Sequence, residues 1–260
     1  PLADATVVLL TTAAPFQPEK GPQGAGAPYN AAAKFYVPYA MDSAVDHDLR
    51  IAHVGVDRRH ASMVDSGCWF PLPLLRRFAA EGRIGRLAAR AHGVPTNRSH
   101  RHTLEVDVPI VVARCLEDGA HAAVLVANCP ICHQTMSLTA RALERAGIPT
   151  VLMGCAKDIV EHCGVPRFLF SDFPLGNSCG KPHEPDTQRF TLDLALKVLE
   201  SAVGPRTTVQ SPLRWTDDGD WKNDYNNIER MSPEEVAKRR AEFDKVKQVA
   251  LGQRQKAGVA

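Results

Sequence analysis

The chain has 260 residues, 44% of them hydrophobic and 23% charged, an ordinary globular composition that excludes a disordered or fibrous polymer. Lys and Arg number 31 against 29 Asp and Glu, so the net charge of +2 gives no broad nucleic-acid footprint. No run of about 18 apolar residues exists to span a membrane. Length alone allows one large or two small domains.

In chain order, Ala5–Leu10 is a short β-branched apolar run and reads as a buried strand ending at Thr11 and Thr12. Residues 16–34 are rich in Gly, Pro and Ala and read as an irregular loop. Leu49–Val56 alternates and is a second strand candidate, followed by Asp57, Arg58, Arg59 and His60. Leu72–Glu81 has helical spacing stopped by Gly82. Residues 92–103 read as a His-rich loop, and Val106–Asp118 as a helix ended by Gly119. Ala122–Ala127, Thr135–Ala146 and Pro149–Gly154 form a strand, helix and strand with short connections, which implies a parallel pair and an α/β fold. Arg167–Phe170 is a further strand, and a helix spans about Arg189–Ser201. Ser232, Pro233 and Glu235 make a capping box for a charged helix through about Val249, read as a solvated arm or a subunit contact.

The predicted architecture is an open, Rossmann-like parallel sheet over residues 1–205, divisible into similar lobes at about 1–103 and 104–205. A C-terminal extension, 206–260, follows. The first residues lack the basic start and apolar stretch of a secretory leader. Seven cysteines, an odd number in a large chain, suit a reducing compartment, and a cytoplasmic location is expected.

The chemistry concentrates in Cys129-Pro130-Ile131-Cys132-His133-Gln134, between a strand and its following helix. Two thiols there sit at the carboxyl edge of a parallel strand, where open α/β sheets bind ligands. They also sit at a helix N-terminus, which favours thiolate. The C-x-x-C spacing permits a disulfide after one sulfur has acted as nucleophile, and His133 is a candidate proton donor or thiolate stabiliser. Metal binding competes, with Cys129, Cys132 and His133 joined by Cys155, Cys163, Cys179 or His183; the expected ligand set in that case is Cys129, Cys132, Cys179 and His183. A c-type haem fits C-x-x-C-H poorly between strand and helix.

A second loop, Pro174–Pro185, should share that edge. Gly176, Asn177, Cys179 and His183 are substrate-binding candidates there, with Lys181 as a carboxylate partner or an exposed lysine. Thr11, Thr12 and Asp57 are substrate-binding candidates at other strand ends. Cys68 and Cys115 read as packing residues, and His100-Arg101-His102 as a solvated loop.

Several stretches resemble the glycine/sarcosine/betaine and D-proline reductase selenoprotein B family. They are Thr11-Thr12, Ile51–Arg59, Phe70-Pro71-Leu72, Glu81–Gly85, Cys129–Thr135, Pro174–Asn177 and Pro182–Pro185. The resemblance implies reductive cleavage, often of a C–N bond, by a selenol or thiol attacking a carbon that bears a leaving group. By position, Cys129 matches the nucleophile region and Cys132 the resolving thiol. This chain departs from the selenoproteins in carrying cysteine throughout the motif. An external thiol or redox protein would supply electrons, the substrate would be a small molecule, and a second subunit or homo-oligomer is expected. Two rival readings use the same residues. One is a metal-dependent hydrolase or metal-binding subunit. The other is a cofactor-independent racemase or lyase with Cys129 and Cys179 facing one cavity.

Overall fold

The computed structural model describes residues 1–23, 30–51, 53, 55–57, 59–62, 64–225 and 227–258. The strands are β1 (Thr6–Thr11), β2 (Ala14–Pro15), β3 (Tyr39–Asp42), β4 (Leu49–Arg50), β5 (Arg86–Leu87), β6 (Arg90–Gly93), β7 (Ala122–Val126), β8 (Thr150–Gly154), β9 (Arg167–Phe170) and β10 (Thr207–Gln210). The helices are α1 (Leu72–Ala80), α2 (His100–His102), α3 (Val108–Glu117), α4 (Pro130–Arg145), α5 (Lys157–Cys163), α6 (Pro185–Ser201) and α7 (Pro233–Lys256).

One sheet runs β10-β9-β8-β7-β1-β6-β3, with β5 also on β1; all of its pairings are parallel except β3 with β6. This is the open α/β architecture expected from the strand–helix–strand unit. β1, β7 and β8 are buried at every position, as central parallel strands covered on both faces should be. Strands from both sides of residue 103 share this sheet, and β10, beyond residue 205, pairs with β9.

The strand order contains a reversal. β1 leads to β6 on one side, while its other neighbour β7 leads to β8 on the opposite side. Adjacent strands whose connections diverge leave a crevice outside their carboxyl ends, where ligands of such sheets bind. Here the crevice lies between Thr11-Thr12 and Ala127-Asn128-Cys129.

Several local expectations need correction. Of the proposed strand 49–56, only Leu49–Arg50 forms one, and it pairs antiparallel with β2 outside the main sheet; Ala52, Val54 and Arg58 lie outside the described residues. Part of the expected loop 92–103 is sheet, because β6 hydrogen-bonds to β1. The helix expected from Val106 starts at His100, runs through a π-helical stretch at Thr103–Asp107 and continues as α3. The helix expected from Thr135 starts five residues earlier, at Pro130, which draws the cysteine motif into its first turn. α7 is exposed along most of its length and has no buried residue, as its charged sequence requires.

Candidate functional site

Cys129 is the N-cap of α4. Its extended backbone (φ −136°, ψ 168°) ends the loop from β7, and Pro130 supplies the preset φ of a first helical residue. The Cys129 sulfur accepts the Cys132 N–H at 3.2 Å, the bond that an N-cap side chain makes to the first turn. Cys129 and Cys132 are joined in a disulfide, with Cα atoms 4.9 Å apart. When reduced, the Cys129 sulfur stays beside an unsatisfied helix N-terminus that favours its anion. Cys132, one turn further, is fully enclosed, whereas Cys129 lines a cavity of about 180 Å³ with Lys34, His53, Gly55, Thr96, Arg98, Pro130 and Ile131.

The cavity walls come from three loops. Gly55 packs on Pro130: a Cβ there would meet the proline ring at 2.5 Å. Tyr225 donates its hydroxyl to the Gly55 carbonyl at 2.7 Å and holds this segment down. That brings His53 within 4.8 Å of both sulfurs by its ligating atom, so the three donors form one cluster. Lys34 donates to the Thr96 carbonyl, and Asn97 donates to Tyr36 O at 3.0 Å and to Asp107 at 3.1 Å, which joins the 30–36 loop to the end of β6. Burial, then the neighbouring Arg98 and Arg254, push the Lys34 ammonium down to about 7. The cavity therefore presents the Arg98 guanidinium at any ordinary pH, and the Lys34 ammonium fully only below about pH 7.

At the crevice itself, Asn128 is fully buried and neither atom of its side-chain amide has a hydrogen-bond partner among the described residues. The buried Thr12 hydroxyl is likewise unpartnered, whereas Thr11 accepts the Ala13 N–H at 3.0 Å and serves its own turn. Unsatisfied buried polar groups are rare and call for an explanation, and a ligand or ordered water is the usual one.

The remaining sequence-predicted residues divide sharply. His133 is fully buried. Its Nδ1 lies 2.7 Å from the Cys129 carbonyl, and its Nε2 lies 2.8 Å from the Cys155 N–H and 3.1 Å from the Ala156 N–H. This pattern requires Nδ1–H to donate and Nε2 to accept, so the ring is neutral; burial holds its pKa down at about 4. Neither nitrogen is open to a substrate, and the ring instead clamps the β7–α4 turn to the β8–α5 turn. Gly154 makes room, since a Cβ there would lie 2.6 Å from the imidazole.

The Pro174–Pro185 loop does reach the same edge, because Ser178 donates to the Ala127 carbonyl. Yet Cys179 is fully buried, with its thiol pushed well up by burial and by Cys68 and Cys155. Gly176 (φ 111°) and buried Asn177 form the turn, Asn177 donating to Pro174 O at 3.0 Å. His183 is exposed, and its N–H donates to Asp65 at 2.6 Å. Among the described residues, the donors close enough together to hold a metal are His53, Cys129 and Cys132, and neither Cys179 nor His183 is with them. Asp57 caps its own turn, accepting from the Arg59 and His60 N–H groups and pairing with His60 Nδ1 at 2.9 Å.

Sequence reading passed over His53, Lys34, Arg98 and Asn128. Asn128 carried a usable signal, a polar residue between a buried strand and the cysteine motif; Lys34 and Arg98 come from loops without periodicity, and His53 from the alternating stretch 49–56 that reads as a strand.

The chain is 29% identical over 215 residues to D-proline reductase subunit gamma of Acetoanaerobium sticklandii, covering 82% of this chain and 86% of that subunit. It is 26% identical over 212 residues to glycine reductase complex component B subunit gamma of Carboxydothermus hydrogenoformans. Both relatives support the resemblance of this chain to the reductase selenoprotein B-like family. In sequence it resembles the oxidoreductase chains of the glycine and D-proline reductases. The second match covers 79% of this chain but 48% of the glycine reductase subunit, so this chain spans about half that relative's length. No family model and no solved structure matches the chain. No helix among the described residues is long and apolar enough to cross a membrane.

Proposed function

We propose that this chain is the thiol-bearing subunit of a cytoplasmic reductase that cleaves a C–N or related bond of a small anionic molecule. One observation carries the reading: a Cys129–Cys132 pair at a helix N-terminus, with Cys129 facing a cavity edged by Lys34 and Arg98. In the reduced state the Cys129 thiolate attacks the substrate carbon and expels its leaving group, forming a C–S bond. Cys132 then attacks the Cys129 sulfur, the C–S bond breaks, and its electron pair takes a proton to give R–H. The sum is R–X plus two thiols giving R–H, HX and the disulfide. An external dithiol or redox protein returns two electrons and two protons to restore the pair. Cys129 is the attacking sulfur because it lines the cavity, and Cys132 the resolving one because it is enclosed within bonding reach. A negative group on the substrate rests against Lys34 and Arg98, which aligns the carbon with the thiolate. His133 positions the Cys129 carbonyl and does not exchange protons with substrate. The names of the relatives support a second subunit as partner. The racemase reading has no support from the geometry, since Cys179 does not line the cavity.

The test uses Cys132→Ser, which leaves the attack intact and removes its resolution. Incubated with D-proline or glycine and reductant, this variant should accumulate a covalent adduct on Cys129, visible by intact mass, while Cys129→Ser accumulates none. An adduct on another cysteine, or none on Cys129 with either compound or with a halogenated acid such as chloroacetate, rejects the assignment.

A further inference from the structure

The donor cluster beside the cavity has a second use that reductive chemistry does not require. We propose that the reduced protein binds one thiophilic divalent cation of the zinc class through Cys129, Cys132 and His53, with an anion from the cavity as fourth ligand. The inference rests on the cluster's geometry and not on the reductase reading.

The ligating atoms of the three residues lie within 4.8 Å of one another. Tetrahedral zinc with two sulfurs and one nitrogen needs its ligand atoms about 3.5 to 3.8 Å apart. Small side-chain rotations reach that spacing once the S–S bond is broken. All three residues are nearly enclosed, at 9%, 4% and 0% exposed for His53, Cys129 and Cys132. Two thiolates cancel the charge of the dication, and the single negative charge that an anionic fourth ligand adds is met by the cations lining the cavity, Lys34 and Arg98. Two thiolates and an imidazole select zinc, cobalt or cadmium over magnesium and calcium. The ligands are held in place beforehand: Cys129 and Cys132 by the first turn of α4, and the His53 segment by the packing of Gly55 on Pro130 and the Tyr225 hydrogen bond.

The fourth position faces Lys34 and Arg98. Those cations disfavour a bare dication with neutral water and favour an anionic ligand such as chloride or a carboxylate. Binding is proton release, not redox: the cation displaces two thiol protons and no electron moves. The disulfide and the metal are mutually exclusive occupants of the same sulfurs. A thiol reductant is therefore needed first, and a bound cation withholds Cys129 from alkylation and from oxidation.

The experiment titrates Co²⁺ into the full chain, reduced by a phosphine and desalted without oxygen, with the oxidised chain alongside. The expected result is one equivalent bound by the reduced chain, with a thiolate-to-cobalt charge-transfer band and tetrahedral d–d absorption, displaced by Zn²⁺. The oxidised chain should show none of this. His53→Ala should weaken binding by at least about tenfold, and zinc should slow iodoacetamide labelling of Cys129 by a similar factor. Equal binding by oxidised and reduced chains overturns the proposal without recourse to any variant. So does a band that survives His53→Ala unchanged, which would place the metal elsewhere. The binding is read without substrate and turnover without metal, so failure of either reading leaves the other standing.

Discussion

Two groups of cysteines occupy the same edge of the sheet, and they differ in everything but residue type. Cys129 and Cys132 sit on the first turn of a 16-residue helix, beside a cavity and within bonding reach of each other. Cys68 and Cys179 are fully buried and Cys155 is half-buried, and none of the three lines the cavity. The Cys155 sulfur sits 3.6 Å from the Ser178 hydroxyl, and the Cys179 N–H donates to the Cys68 carbonyl at 2.9 Å. Burial pushes the Cys155 thiol up to about 12 and the other two also well up. In the proposed reading, thiol chemistry follows from a helix end and an open wall. A cysteine at the carboxyl edge without them is packing.

The comparison breaks most visibly at the nucleophile. Cys129→Ser should lower thiol-dependent reduction by about 10³-fold or more, since no neighbouring sulfur has its position. Cys179→Ala should leave the rate within about twofold and cost about 1 to 2 kcal/mol of stability. Steady-state turnover with a dithiol donor and thermal unfolding read the two outcomes, and equal rate losses in both variants would erase the distinction.

Next in size is the clamp between the two regions. Unfolded, His133 takes its proton near pH 6.5; folded, it stays neutral until about pH 4. Between those values the unfolded chain binds more protons. The stability His133 supplies is therefore complete above pH 6.5 and drains away as pH falls towards 4, by about 3 kcal/mol. Denaturant titrations from pH 7 to 4 should show that slope in the native chain and a shallower one in His133→Asn. Gly154→Ala, which drives a methyl group into the same ring, should cost about 1 to 3 kcal/mol in calorimetry.

The smallest effect concerns the cavity's charge. Reduced chain should react with iodoacetate faster, relative to iodoacetamide, than free cysteine does. That preference should fade as pH rises through about 7, where Lys34 loses its proton. Lys34→Met should remove on the order of 1 kcal/mol of it, about fivefold in the rate ratio. An unchanged ratio would strip the cavity of its role as an anion receiver.

How much of this the sequence disclosed depends on how each element is stabilised. β1, β7, β8 and β9 are continuous apolar runs between turn residues, so their existence and parallel pairing were legible. The dithiol was legible too, because strand, motif and helix are contiguous. α5 escaped notice because it is seven residues long with Val160 as its one buried residue. β10 and β6 were missed because a half-buried edge strand, Thr207–Gln210, and a polar one, Arg90–Gly93, lack an apolar signature. The helix start was placed five residues late because Cys129 was not considered as a cap, a task it takes from Ser or Asp. Lys34, His53 and Arg98 could not be placed beside Cys129 from sequence. They arrive through loops whose course is set by single contacts, such as Gly55 on Pro130.

The central claim is tested most directly by labelling the reduced chain with a limiting amount of iodoacetamide across a range of pH and mapping the modified peptides by mass. The account predicts that Cys129 is labelled first and keeps reacting well below pH 8.5, where an ordinary thiol has lost its thiolate, while Cys68, Cys115 and Cys179 stay unmodified until the chain unfolds. Labelling that spares Cys129, or that falls with pH as an ordinary thiol's does, would contradict it.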